Sequence, residues 1–311
     1  GGCGHEALYN MVTPGFVPEH LAAVTVAVTD AVAAAWDSTE ATTLSFTRAT
    51  IDPDVPVAWN RSLPSYNRNP EVQPRGEAET HRAIDREMGV LGAHRDGQVQ
   101  ALLSLFGVHA TCIGNDNDSH DGDNKGAAAA ATEQALAAAG AADPVAIFAQ
   151  ATAGDVSPHY HGPGDLARRK AIRASGDVAY ARTNGTFQAD HALGAVAEDD
   201  QLRLSGPTDA VFGHHDLTDV AVDPQWVGGV TGAHTSDPCH GTAFFAGTPV
   251  DGRGAPAAVE RVSVLPLALF PERNRLELYD GSPSGIEQIS AFLGSSLALP
   301  TVVNPIEIDV M

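Results

Sequence analysis

Lysine is nearly absent from the chain, at two positions, Lys125 and Lys170, and 18 basic residues face 39 acids for a formal charge of −21. That balance excludes nucleic-acid binding, which rests on clustered Lys and Arg against phosphate. Cysteine is scarce too. Cys3, Cys112 and Cys239 are too few for a disulfide scaffold and are not spaced as a zinc knuckle; one bridge with a thiol left over, or three small buried hydrophobes, both remain open. No stretch approaches the roughly 18 unbroken apolar residues of a membrane helix. The first residues have neither the basic nor the apolar region of a signal peptide. What is present is a 43% hydrophobic chain, long enough to bury a sizeable core, with an acidic surface that favours solubility at high salt.

The text from Asp143 to Tyr160, DPVAIFAQATAGDVSPHY, organises the rest. An apolar strand, Val145 to Ala149, opens into a loop that offers Asp155, Ser157 and His159. Upstream, EMGVLGAH and VQALLSLFGV flank the turn Arg95-Asp96-Gly97 and predict a β-hairpin whose second strand ends on His109. Between them Asp123 or Asn124 caps a helix from Lys125 to Ala139 that Gly140 stops. Strand, helix and strand on short connections predict a right-handed βαβ unit with parallel strands. His109 and the Asp155/Ser157/His159 loop then leave on one sheet edge, where open α/β sheets place their ligands. The expected fold is α/β: a mixed sheet with a parallel βαβ unit, helices on both faces and an active edge at the strand C-termini.

Elsewhere the pattern predicts a well-buried helix over residues 17–36, apolar around most of its circumference, and a strand over Thr42 to Ile51. Asp52 to Arg75 is irregular and long enough to suggest a functional loop or lid. A helix is expected over Leu166 to Arg182, with Arg168, Arg169, Lys170 and Arg173 as its solvated face rather than a phosphate site. Residues 206–254 are rich in Gly, Pro, His and Asp and predict loops carrying His214-His215 and His234 with His240. Val262 to Phe270 and Pro300 to Val310 are strand-like, and Pro283 to Leu293 is helix-like. With no repeat and no clear linker, a single domain over 1–311 is expected.

His109 at a strand end is structural or, as a neutral imidazole beside a polar loop, a metal ligand or base. Ser157, after Gly154-Asp155-Val156 and before Pro158, is a turn residue or a hydroxyl acting as nucleophile or oxyanion donor. Arg61 is a surface residue unless it reaches an oxygen-rich substrate.

Asn60-Arg61-Ser62 with Asn69-Pro70, Phe106-Gly107-Val108-His109-Ala110-Thr111, Gly122-Asp123-Asn124-Lys125-Gly126, and Phe148-Ala149-Gln150 with Gly154-Asp155-Val156-Ser157-Pro158 stand in one order over about a hundred residues. Together they resemble the neutral/alkaline non-lysosomal ceramidases. Gly1-Gly2, His5 and Tyr9-Asn10 are similar to the family's preceding block, and Gly247-Thr248, Asp251-Gly252 and Gly254 to a later one. The resemblance implies a secreted or membrane-associated zinc amidase that cleaves ceramide to sphingosine and a fatty acid, in an extracellular or periplasmic setting. It implies His109 as a Zn²⁺ ligand, Ser157 and Arg61 as catalytic residues, and Asp123, Asn124 and Asp155 as substrate-binding residues. The implied partner is ceramide or a related N-acyl lipid met at a transient membrane surface, with no nucleic acid and no obligate protein partner.

The chain departs from the pattern in places. Of the H-x-H-S-G-P-G-G block that holds the family's other zinc histidine, only Gly1-Gly2 is present, and the Glu and Tyr ligands of later blocks are not found, Glu307 being spaced for one but lacking its context. Ala127 replaces an aromatic, and Cys112-Ile113 replaces Ser-Met. The expected domain is therefore a central part of the catalytic domain, incomplete at both ends and without the family's immunoglobulin-like C-terminal domain. The alternatives are a divergent lipid-binding module without a full zinc site, or a metal amidase for other N-acyl substrates.

Overall fold

Alternating apolar and β-branched residues set the first strand, β1 (Thr43–Thr50). The computed structural model describes residues 18–69, 71–114, 117, 119–159, 170–172, 176–198, 201–207, 209–213 and 219–235, with the backbone alone at 247–248 and 252–253. The chain divides into two compact units. The larger is built from Ala41–Asp209; the other contains α1 (Pro18–Asp37) and residues 219–235.

In the larger unit the chain forms β1, β2 (Trp59–Asn60), a short helix α2 (Leu63–Tyr66), a 3₁₀ helix (Glu77–Arg82), β3 (Glu87–Arg95), β4 (Gln98–Leu105), α3 (Asp123–Ala138), β5 (Val145–Ala149), β6 (Val156–Ser157), α4 (Asp177–Ala197) and β7 (Leu202–Leu204). The main sheet runs β5-β4-β3-β1-β7. All its neighbours are antiparallel except β4 and β5, which are parallel with Ala101 opposite Val145 and Leu105 opposite Ala149. The predicted hairpin, βαβ unit and mixed sheet are thus present. Asp96 and Gly97 make the hairpin turn, both at positive φ.

One face of the sheet carries the core. Met88, Val90, Leu102, Phe106 and Phe148 pack against Ala128 of α3 and against Ala189, Ala192, Ala195 and Val196 of α4. Each large side chain so buried contributes about 1.5–3 kcal/mol. Alanine on both helices lets them approach closely. A Cβ on Gly185 of α4 would stand 2.7 Å from the Cβ of Ala127 and from the carbonyl of Asn124 on α3. The alanine at 127, where the resemblance predicts an aromatic, suits this contact.

Both α3 and α4 lie against one face of the sheet, and Leu105, Val145 and Ile147 on the other face are exposed. The structure differs from the sequence pattern at three places. Where a helix was expected over Leu166 to Arg182, α4 starts at Asp177 and runs to Ala197, because Asn, Gln, Gly and Ala in TNGTFQADHALGAVA hide the apolar period. Gly122, not Asp123 or Asn124, occupies the cap position of α3, and Asp123 adopts φ 50°. Finally, α1 forms where expected, but none of its residues is buried. Apolar residues all round a helix signal burial only when something covers them. No helix among the described residues is long and apolar enough to cross a membrane.

In the other unit, Ala221 bridges His234 and His234 pairs with Asp219 at 3.0 Å. His214, His215, His240, Cys3, Cys239, Arg168, Arg169, Arg173 and the elements expected after Gly254 lie outside the described residues. Cys112 is buried, and its Sγ accepts from Asn124 Nδ2 at 3.6 Å.

Gly107, just past the end of β4, has no room for a side chain, since a Cβ there would sit 2.1 Å from the carbonyl oxygen of Thr152. Gly107→Ala should therefore cost about 3 kcal/mol, the upper range for overpacking. Chemical denaturation measures this; an unchanged midpoint would show that the two strand exits are not in contact.

Candidate active site

Past Leu105 and Ala149 both parallel strands leave the sheet at their C-terminal ends, and side chains take over the pairing. Phe106 N–H still donates to Ala149 O at 3.3 Å. The Gln150 amide then behaves as a strand would, accepting from Val108 N–H at 3.2 Å and donating to Val108 O at 2.6 Å. One residue further, His109 meets the second exit. Its backbone N–H donates to Val156 O at 3.3 Å, and its Nδ1 lies 2.9 Å from the same oxygen. A carbonyl only accepts, so Nδ1 carries a proton, and in the neutral ring Nε2 keeps its lone pair. That tautomer, held by a backbone carbonyl, is the arrangement that orients metal-ligating imidazoles.

The Ser157 loop is held from the other side by β2, which pairs antiparallel with β6 so that Trp59 faces Ser157 and Asn60 faces Val156. Arg61 N–H donates to Asp155 O at 2.7 Å, and its guanidinium Nη2 to Gly154 O at 3.0 Å. Asn60 Nδ2 donates to the Asp155 carboxylate at 2.5 Å and to Ala83 O at 2.9 Å, while its Oδ1 accepts from Ser62 N–H at 2.6 Å. Ser157 is buried, and its Oγ accepts from His159 N–H at 3.2 Å. His159, also buried, donates from Nε2 to Thr111 O at 3.1 Å and stacks on Tyr180 with Trp59 edge-on. Each exit loop is thereby bonded to the other twice, through His109 and through His159.

The first turn of α3 grips the His109 segment from below. The Asp123 carboxylate accepts from Cys112 N–H at 3.2 Å and Ile113 N–H at 2.8 Å. Asn124 Nδ2 donates to His109 O at 3.0 Å. The structure thus brings His109, Ser157, Arg61 and Asp155 together on one edge. It commits the side chains of Asp123, Asn124 and Asp155 to bonds within the protein.

Arg86 fixes β2. Buried, it directs its five N–H donors to the carbonyls of Ile51, Ala58, His81, Asp52 and Val55. Burial lowers its pKa from the ordinary arginine value, and Asp52 opposes that. Arg86 escaped the sequence reading, and Gln150 stood in a family block without a role, because no period or spacing marks a side chain that serves a distant main chain. His159 stood in the right loop without a role.

These elements define the class: an α/β domain whose strand ends gather an imidazole, a serine and an arginine, a set suited to hydrolysis. The comparisons narrow it. The family model "Neutral/alkaline non-lysosomal ceramidase, N-terminal" matches residues 1–265. Neutral ceramidase B of Dictyostelium discoideum is 28% identical over 280 residues, covering 82% of this chain and 38% of that protein. The neutral ceramidase of Mycobacterium tuberculosis is 29% identical over 258 residues, covering 80% and 38%. A solved structure described as "Ceramidase complexed with C2" superposes with a TM-score of 0.65 at 25% identity, over 82% of this chain and 37% of that one. The chain belongs to the neutral/alkaline non-lysosomal ceramidase family, and it spans less than two fifths of the length of these relatives.

Arg86→Met removes all five donors and leaves buried carbonyls unmatched, at about 1–3 kcal/mol for each carbonyl left dry. The expected result is a fall in thermal midpoint of 10 °C or more, on the order of 4–8 °C per kcal/mol in a small domain and less in a larger one. A midpoint within a degree of wild type would contradict the role given to Arg86.

Proposed function

We propose that this chain carries part of the catalytic centre of a ceramide amidase, hydrolysing the N-acyl bond of ceramide to sphingosine and a fatty acid. The observation that carries the reading is the convergence of His109 and Arg61 on the main chain of residues 154–156, immediately before Ser157. Family membership supplies the substrate class. The relatives are named neutral ceramidases, and a lipid amide brought from a membrane surface suits an extracellular or periplasmic setting.

In this reading water adds to the amide carbon, the C–N bond breaks, and the amine leaves with a proton. Negative charge builds on the carbonyl oxygen as the tetrahedral centre forms. Arg61 and the Ser157 hydroxyl would stabilise that charge and orient the amide. Zn²⁺ fits His109, whose Nδ1 is occupied by Val156 O and whose Nε2 is not bonded to the protein among the described residues. When bound, it would supply a Lewis acid that polarises the carbonyl and acidifies water. Among the described residues no group of three or more His, Cys, Asp or Glu could hold a metal, so further ligands would come from elsewhere in the protein.

Zinc content and turnover of short-chain ceramide test the reading together. One zinc per molecule, lost in His109→Ala along with turnover, is expected. Ser157→Ala and Arg61→Ala should each lower kcat about 10²–10³-fold, the range for removing one oxyanion donor. Zinc without ceramide turnover, but with turnover of other N-acyl substrates, would move the assignment to a different amidase. Neither zinc nor turnover would leave a lipid-binding module.

A further inference from the structure

Lys125 is a lysine placed where lysine is rarely tolerated. It follows Asp123 and Asn124 in the first turn of α3, and its amine points into the layer between α3, α4 and the end of β4. There Nζ donates to Phe106 O at 2.8 Å and to Gln188 Oε1 at 3.0 Å, and lies 5.6 Å from the centre of the Phe106 ring. Gln188, fully buried on α4, passes the contact on: its Nε2 donates to Asn184 Oδ1 at 3.0 Å, and Asn184 Nδ2 donates to Val57 O at 2.7 Å, just before β2.

Among the described residues no carboxylate balances the amine. On its own helix Asp123 serves the amides of Cys112 and Ile113, and Glu133 the amide of Ala146. From α4 the facing groups are the neutral Gln188 and Asn184, and from the residue after β4 the Phe106 ring and carbonyl. Two acceptors match the two N–H groups of a neutral amine, whereas an ammonium would bury a third donor and a charge.

We infer that Lys125 is a positioning residue for His109: its amine ties the carbonyl at the exit of β4 to α4, and so fixes the segment from Phe106 to Ile113 on which the imidazole is carried. Three consecutive residues of α3 then hold three points of that segment, Lys125 at Phe106, Asn124 at His109 and Asp123 at Cys112 and Ile113. The same tie reaches β2 through Gln188 and Asn184, which couples the placement of Arg61 to that of His109. This inference rests on the reading of His109 as a site residue.

The tie is linked to protons. Burial lowers the Lys125 pKa from 10.5 to about 7. An opened segment returns the amine to water and its ordinary value, so between about 7 and 10.5 the open form binds the extra proton. Closure therefore strengthens as pH rises above about 7 and is level below it, with a limit of about tenfold per pH unit.

Amide hydrogen exchange of the full chain, corrected for the intrinsic pH dependence, tests this without turnover. In the wild type, protection at Phe106 to Ile113 should rise with pH from 7 to 9 relative to β1 and β3. In Lys125→Met it should be tenfold or more lower and level with pH, with kcat for a short-chain N-acyl substrate reduced and KM unchanged. Faster exchange spread evenly over the whole domain, or a wild-type profile level with pH, would overturn the inference. Should Lys125→Met not fold, Gln188→Met removes one acceptor and should give the same local loss to a smaller degree, and the wild-type pH series needs no variant. A wild type that shows the local pH response but no amidase turnover would sink the ceramide reading and leave the positioning role standing.

Discussion

The carbonyl of Val156 is the fixed point of the structure. It accepts from both the backbone and the ring of His109, and so joins the exit of β4 to the exit of β5 after the sheet itself has ended. Parallel pairing makes this possible, since it sends both strand ends to one edge. The backbone beyond that edge is irregular, and regular pairing cannot satisfy it. Side chains supply the missing partners: Gln150 for Val108, Asn124 for His109, Asp123 for Cys112 and Ile113, Asn60 for Ala83.

The same rule governs the buried charges. Arg86, buried, and Lys125, partly buried, form no ion pair with an acid among the described residues, and both are satisfied by carbonyl or amide oxygens. Such groups are costly unless every donor is met. Their contribution is to fix loops that no strand or helix reaches, Arg86 the run into β2 and Lys125 the run out of β4. Arg61 and His109 ride on those two runs. The rigidity of the site is thus a property of polar groups packed behind it, while the alanine-rich helix faces and Gly185 bring α3 and α4 near enough for those groups to meet.

The sequence made the edge legible because hydrophobic runs and turn residues are local signals. Arg95-Asp96-Gly97 marked the hairpin, Gly140 the end of α3, and the short connection the parallel pair. The resemblance implied His109, Ser157 and Arg61 as site residues, and in the structure His109 and Arg61 bond to the loop that precedes Ser157. Contacts between distant segments were not legible. β2 and β6 are two residues each, too short to carry a period, and the pairing of Trp59 with Ser157 spans most of the unit. In α4 the buried stripe includes Asn184, Gly185 and Gln188, residues that read as surface or loop when met alone. The helix α1 misled in the opposite sense, being apolar enough to suggest burial that its described surroundings do not provide.

The most direct test is crystallographic: diffraction from zinc-containing crystals at the zinc absorption edge. The account predicts a metal bonded to His109 Nε2 at about 2.0–2.1 Å, with Nδ1 still donating to Val156 O. A metal on Nδ1, or an imidazole turned away from Val156 with no metal beside it, would contradict it.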